Sequence, residues 1–244
     1  MKAAFKIIGI VVLSFIVVAG FYFYLGLPDV SGLKAKNPRT TALMVQRYRE
    51  AKKTDKTFRI RKQWIEFEAI PKLLRETVRV TEDASFYQHK GVDFTELRIV
   101  IKKSWEKGEL VRGASTITQQ LAKNLYLSTE KSIFRKIKEY FMARRLEETL
   151  PKSRIFHLYL NVIEFGPGIF GVQAAAQYYF QKEVGQLNLE EIVRLTAVIP
   201  KPLNENPTGS SRWLKWKARW ILDTLKRYNY ISPQEYQPVI SVFQ

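Results

Sequence analysis

The chain has 244 residues, 46% of them hydrophobic, with 40 Lys and Arg against 23 Asp and Glu, for a formal charge of +17. That composition supports a buried core and excludes a chain disordered throughout, while the charge calls for an anionic partner: nucleic acid, phospholipid headgroups or a phosphorylated substrate. Without cysteine there is no disulfide, thiolate nucleophile or cysteine-ligated zinc, and only His89 and His157 remain as histidine ligands.

In chain order, residues 7–27 carry no charge, and a helix needs roughly 20 apolar residues to cross a bilayer. A cleaved signal peptide competes with a retained anchor, but its apolar region runs about 7–15 residues, so an N-terminal transmembrane helix over 1–28 is expected. Lys2 and Lys6 precede the segment and Lys34, Lys36 and Arg39 follow it, so the positive-inside rule votes only weakly for a cytoplasmic N-terminus. Residues 29–59 read as a linker or stalk containing an exposed basic helix over 41–53. Residues 57–67 mix β-branched, aromatic and basic side chains and fit a strand or an extended arm equally. From residue 70 the apolar spacing is helical, predicting helices over 70–84, 94–107, 116–126, 132–149, 152–163, 171–180 and 188–198. The fold class is therefore mainly α, with one domain over 60–210 and a helical C-terminal extension of it over 211–244. In that extension Trp213, Trp216 and Trp220 share a helical face, which suits either packing or a membrane interface.

One acid stands out. Ile70, Leu74 and Val78 are spaced by four, and the same stripe arrives at Glu82, so a carboxylate lies on the face meant for the core. Such a residue is either paired or useful as an acid or base. Asp83, four residues after Arg79, fits a surface ion pair. Thr116 and Gln119 have the spacing of a capping box, which would open a helix with its N–H groups toward an anion. Arg135, Lys136 and Glu139 fall within about one hundred degrees of helical arc, as a surface ion pair or as a joint site. Residues 94–107 alternate an apolar stripe (Phe94, Leu97, Ile101, Trp105) with flanking cations (Arg98, Lys102, Lys103, Lys107), consistent with a core-facing or an interfacial helix.

The string Glu82-Asp83-Ala84-Ser85-Phe86-Tyr87-Gln88-His89-Lys90-Gly91 resembles E-D-x-x-F-x-x-H-x-G, the first motif of the family 51 peptidoglycan glycosyltransferases, found alone or as the first domain of class A penicillin-binding proteins. Gly113-Ala114-Ser115-Thr116-Ile117-Thr118-Gln119-Gln120 is similar to the second motif, G-x-S-T-x-T-Q-Q, and Arg135-Lys136-Ile137-Lys138-Glu139 to the third, R-K-x-x-E. Residues 152–161 resemble K-x-x-I-L-x-x-Y-L-N, with Phe156 where leucine is usual, and residues 194–200 match the fifth motif more loosely. The resemblance covers residues 82–207 and is weak before 60.

What this resemblance implies is a lysozyme-like glycosyltransferase domain that polymerises glycan strands from lipid II and releases undecaprenyl pyrophosphate. It implies Glu82 as general base and Glu139 as a second catalytic glutamate that orders the cations or the substrate. Substrate contacts are then expected from Asp83, Phe86, His89, Gly113, Ser115, Thr116, Thr118, Gln119, Gln120, Lys123, Arg135, Lys136 and Asn161. The bare residues favour a structural hydrogen bond for His89 and a place for Asn161 and the turn Gly166-Pro167-Gly168 in the cleft floor. No carboxylate cluster demands a metal and none is assigned, although some family members use Mg2+ or Mn2+. By resemblance the region near 92–112 is a membrane-associated subdomain. The partners are lipid II, the growing lipid-linked strand, membrane lipids and other cell-wall synthesis proteins, with no nucleic acid. The location is the cytoplasmic membrane, single-pass, N-terminus inside and catalytic domain outside. Ser104-x-x-Lys107 and Ser128-x-x-Lys131 match S-x-x-K without a K-T-G or S-x-N partner, so the enzyme reads as monofunctional. A lysozyme-like glycan-cleaving enzyme, which would use the same acid as a proton donor, and a non-catalytic basic membrane-tethered binding protein are the alternatives.

Overall fold

The computed structural model describes residues 2–107, 115–129 and 132–244. Helix α1 (Lys2–Leu25) is followed by α2 (Ala42–Ala51), whose N-terminus is capped by Thr41 accepting from the Met44 N–H. A two-residue strand β1 (Arg61–Lys62) leads to α3 (Lys72–Glu82), which starts after Pro71, where the missing N–H costs nothing. Next come α4 (Phe94–Lys107), α5 (Ile117–Tyr126), α6 (Ile133–Thr149) and α7 (Lys152–Val162). A hairpin of β2 (Glu164–Gly166) and β3 (Ile169–Phe170) precedes α8 (Val172–Phe180), α9 (Leu189–Val198), α10 (Arg212–Arg227) and α11 (Pro233–Val242). The protein is mainly helical, and the sheet order is β1-β3-β2, with β1 parallel to β3 and β2 antiparallel to it. Segment 57–67 is thus mostly an extended arm with a short strand.

Two helix groups make the core. α5 packs against α2, α6 and α7, while α9 packs against α3 and α10. Helix α7 is buried from Ile155 to Val162, so its sequence is apolar nearly all round rather than striped. After the β2–β3 hairpin Gly171, with φ +83°, lets the chain turn into α8 close against α7: a Cβ there would lie 2.7 Å from the Asn161 carbonyl oxygen.

The linker expected over 29–59 is no free stalk. Leu43 and Met44 of α2 are buried in the core, and Gln46 exchanges hydrogen bonds with Thr129 at 2.6 and 3.0 Å. Arg47 reaches the buried carboxylate of Glu164 at 2.9 Å. A basic surface pattern hid these contacts because only two apolar residues carry the docking. The turn 166–168 is also not a cleft floor: Gly168 packs under Arg59, whose carbonyl oxygen would be 2.7 Å from an added Cβ.

Among the described residues no helix is long and apolar enough to cross a membrane. The expected anchor rests partly on residues 8, 9, 12, 13, 16 and 19, whose side chains lie outside the described residues.

Candidate active site

Glu82 ends α3 because Asp83 leaves the helix with φ −164°. The stripe beneath it is real, with Ile70, Leu74 and Val78 fully buried, and it delivers the partly buried acid to the wall of a cleft of about 490 Å3. Ser85, Asp93, Ser115, Thr116, Trp216, Lys217 and Trp220 also line this cleft. Gln120 donates from Nε2 to Glu82 Oε2 at 2.9 Å, and Tyr159, completely buried, donates its hydroxyl to Gln120 Oε1 at 3.0 Å. Burial raises the pKa of Glu82 above the ordinary carboxylate value, opposed first by the Gln120 hydrogen bond and then by the charges of Lys217 and Lys123. Burial in turn lowers the pKa of Lys217, against the pull of Glu82.

The second motif opens α5 with a capping box: Thr116 Oγ1 accepts from Gln119 N–H and Gln119 Oε1 accepts from Thr116 N–H, both at 3.1 Å. The first N–H of the helix is taken by Asp83, whose Oδ2 accepts from Ile117 at 3.0 Å while His89 Nε2 lies 2.9 Å from Oδ1. The expected Asp83–Arg79 surface pair is therefore absent; Arg79 bonds Glu76, the Ala84 carbonyl and Tyr230. Asp83 borders the cleft, but its oxygens are engaged inside the protein, so the helix end is not open to an anion at that N–H.

The third motif gathers around Glu139, buried on α6. Arg135 donates to Glu139 Oε2 at 2.6 Å, Lys136 contacts Oε1, and Lys136 also donates to Ser115 Oγ at 3.1 Å. This last contact joins the cation cluster to the Glu82 cleft, because Ser115 lines that cleft. Behind Gln120 lies a second cleft of about 570 Å3, lined among others by Arg47, Lys123, Asn124, Glu164, Pro200 and Lys201. Burial lowers the pKa of Lys123, with Glu139 and Glu164 favouring its charge and Arg135 and Lys136 opposing it.

Several residues expected to touch substrate do not reach either cleft. Phe86 is fully buried against Tyr87, His89 and Phe156, with Lys152 Nζ 4.3 Å from its ring centre. Thr118, also buried, donates to Glu147 Oε1 at 2.5 Å, and Gln119 is used up in the cap. Asn161 is enclosed and pins the arm before α3: its Oδ1 accepts from Ile65 N–H at 2.9 Å and its Nδ2 donates to the carbonyls of Ile65 and His157. His89 supports Asp83 rather than the cleft. These short polar residues are adapted to burial because each finds a backbone or carboxylate partner. Gly113 lies outside the described residues.

Conversely, Trp216, Lys217 and Trp220 form a cleft wall that lies beyond the motifs. The aromatic spacing in the C-terminal segment was the signal for a shared face; what that face would meet was not written locally.

A family model described as transglycosylase matches residues 49–226. The chain belongs to the transglycosylase family. Its relatives include the biosynthetic peptidoglycan transglycosylases of Methylobacillus flagellatus, 38% identical over 79% of this chain and 83% of the relative, and of Nitrosomonas eutropha, 40% identical over 78% of each. That of Chromobacterium violaceum is 35% identical over 90% of this chain and 95% of its own. This transglycosylase is thus an enzyme of the glycosyltransferase kind, and Glu82, Ser115, Gln120, Lys123, Arg135, Lys136 and Glu139 all fall inside the matched span.

Proposed function

We propose that the enzyme polymerises peptidoglycan glycan strands from lipid II, with Glu82 as the general base. The observation that carries this reading is a desolvated carboxyl in a cleft whose wall, at Ser115, is held by a cation of the Arg135–Lys136–Glu139 cluster. The 4-hydroxyl of the lipid-linked acceptor attacks the anomeric carbon of the growing strand. Its proton passes to Glu82, the new β-1,4 bond forms with inversion, and the bond to the pyrophosphate breaks with its electron pair leaving on undecaprenyl pyrophosphate. A base of raised pKa suits such a transfer near neutral pH, and Lys123, Arg135 and Lys136 offset the charge developing on the departing diphosphate. A hydrolase would have no use for these cations.

Two of the carboxylates are engaged within the protein: Asp83 by His89 and the Ile117 N–H, Glu139 by Arg135 and Lys136. Among the described residues no group of three potential ligands occurs. In this reading α1 is the membrane anchor with its N-terminus inside, the catalytic domain outside carries a lysozyme-like fold, and α4 rests in the interface. Support for it comes from the length of α1, 24 residues or about 36 Å at 1.5 Å per residue, and from exposed Phe94, Ile101 and Trp105 on α4.

The test is a lipid II polymerisation assay on folded Glu82→Gln, expected to make no glycan polymer. Polymer at the wild-type rate rejects the base.

A further inference from the structure

Tyr159 lines neither cleft, yet it is bound to the proposed base through one intervening side chain. Its hydroxyl is completely buried, and among the described residues its one hydrogen-bond partner is Gln120 Oε1, 3.0 Å away. A phenol proton enclosed in protein must find an acceptor or leave a costly orphan. Gln120 supplies that acceptor only when its carbonyl faces Tyr159, and its Nε2 then points at Glu82, where the 2.9 Å contact is found. Turned by half a revolution, the amide would offer its oxygen to Glu82 and its N–H to a hydroxyl that already carries a hydrogen with nowhere to go.

We propose that Tyr159 is a positioning residue for the base: by locking the Gln120 amide, it keeps an N–H donor on Glu82 and so holds the carboxyl ionised and oriented to receive the acceptor's proton. The inference rests on the reading of Glu82 as base. The charges acting on Glu82 are those of Lys217 from α10, Lys123 from α5 and the adjacent Asp83, with Asp93 and Glu96 of the α4 side lining the same cleft, and the Tyr159 hydroxyl bonds Gln120 rather than any of them. Burial lifts the Tyr159 pKa well above its usual value, so the phenol stays a donor throughout the working pH range.

With Tyr159→Phe the amide loses its preference and turns its oxygen toward a protonated Glu82. The acid limb of kcat/KM for lipid II polymerisation then moves to higher pH by about one unit, so that activity on that limb falls about tenfold at fixed pH. The alkaline plateau and KM stay near wild type, since the hydroxyl does not touch substrate. Gln120→Leu moves the limb in the same direction, and adding Tyr159→Phe to it moves the limb no further. A purely structural tyrosine would lower the plateau or the melting temperature and leave the limb in place. An unmoved limb in Tyr159→Phe while Glu82→Gln is inactive overturns the positioning role and leaves the base standing. A full extra shift from Tyr159→Phe on the Gln120→Leu background overturns it too. Wild-type activity in Glu82→Gln removes the base and this role together. Should Tyr159→Phe fail to fold, Gln120→Leu alone decides, an unmoved limb being the refutation.

Discussion

A carboxyl lifted out of water opposes its own ionisation, and that opposition is measurable in the stability of the fold. The folded pKa of Glu82 is raised above the usual 4.5 by burial. Below that value the residue is protonated in both folded and unfolded chains. As the pH rises the unfolded chain ionises first, so the wild type loses stability up to the folded pKa and stays lower beyond it. Glu82→Gln, which keeps a partner for Gln120, is therefore expected to melt like wild type near pH 4 and higher than wild type near pH 8. For a chain of this size the gain is about 2–4 °C per kcal/mol, and calorimetry across pH checks it. Glu139 acts through its partners: it holds Arg135 and Lys136, and Lys136 donates to Ser115, so Glu139→Gln is expected to loosen that link and to lower polymerisation by at least about tenfold at saturating substrate. Phe86→Ala is expected to cost about 3–5 kcal/mol in denaturant unfolding, a core penalty in a motif residue. The four-residue stripe made Glu82 legible before any coordinates. Asp83 was not, because helical spacing from Arg79 assumed that the helix continued one residue further than it does.

Helix α2 carries its own wager. Glu164 has 4% of its side chain exposed and Arg47 covers it from another element. Arg47→Met leaves that carboxylate buried without its ion-pair partner, with an expected loss of about 3 kcal/mol, whereas Arg47→Met with Glu164→Gln recovers most of it. Urea unfolding of both variants tests the docking of α2. Helices α3 to α9 were legible to within two residues at each end, since Thr116, Ser132, Asn188 and the prolines before α3 and α7 mark where they begin, whereas the extension over 211–244 was read as helical without bounds for α10 or α11. What periodicity lacked was the partner of each face. α10 read as a stripe of tryptophans, but its placement beside Glu82 depends on α9 bringing it against α3, a contact between segments far apart in sequence.

For the molecule as a whole, the proposed anchor and the catalytic domain are not independent parts. Leu27 and Val30, just past α1, are buried in the domain core. A chain starting at Gly26 is therefore expected to fold and to lose its alkali-resistant hold on vesicles. The exposed apolar and basic face of α4 retains a weaker association with anionic vesicles that high salt removes. Flotation of the two forms measures it, and unchanged alkali-resistant flotation of the shortened chain would assign the anchoring elsewhere.

Arg145 gives this arrangement a further consequence. Its guanidinium donates to the carbonyls of Tyr24, Leu27 and Pro28 at the end of α1 and lies over the Tyr24 ring. The same helix, α6, bears Arg135 ten positions earlier, which is about 15 Å along its axis. On the proposed anchoring, α6 acts as a spacer: it sets the distance between the end of the anchor and the cations proposed to meet the diphosphate. The catalytic unit is mounted on its post rather than leashed to it.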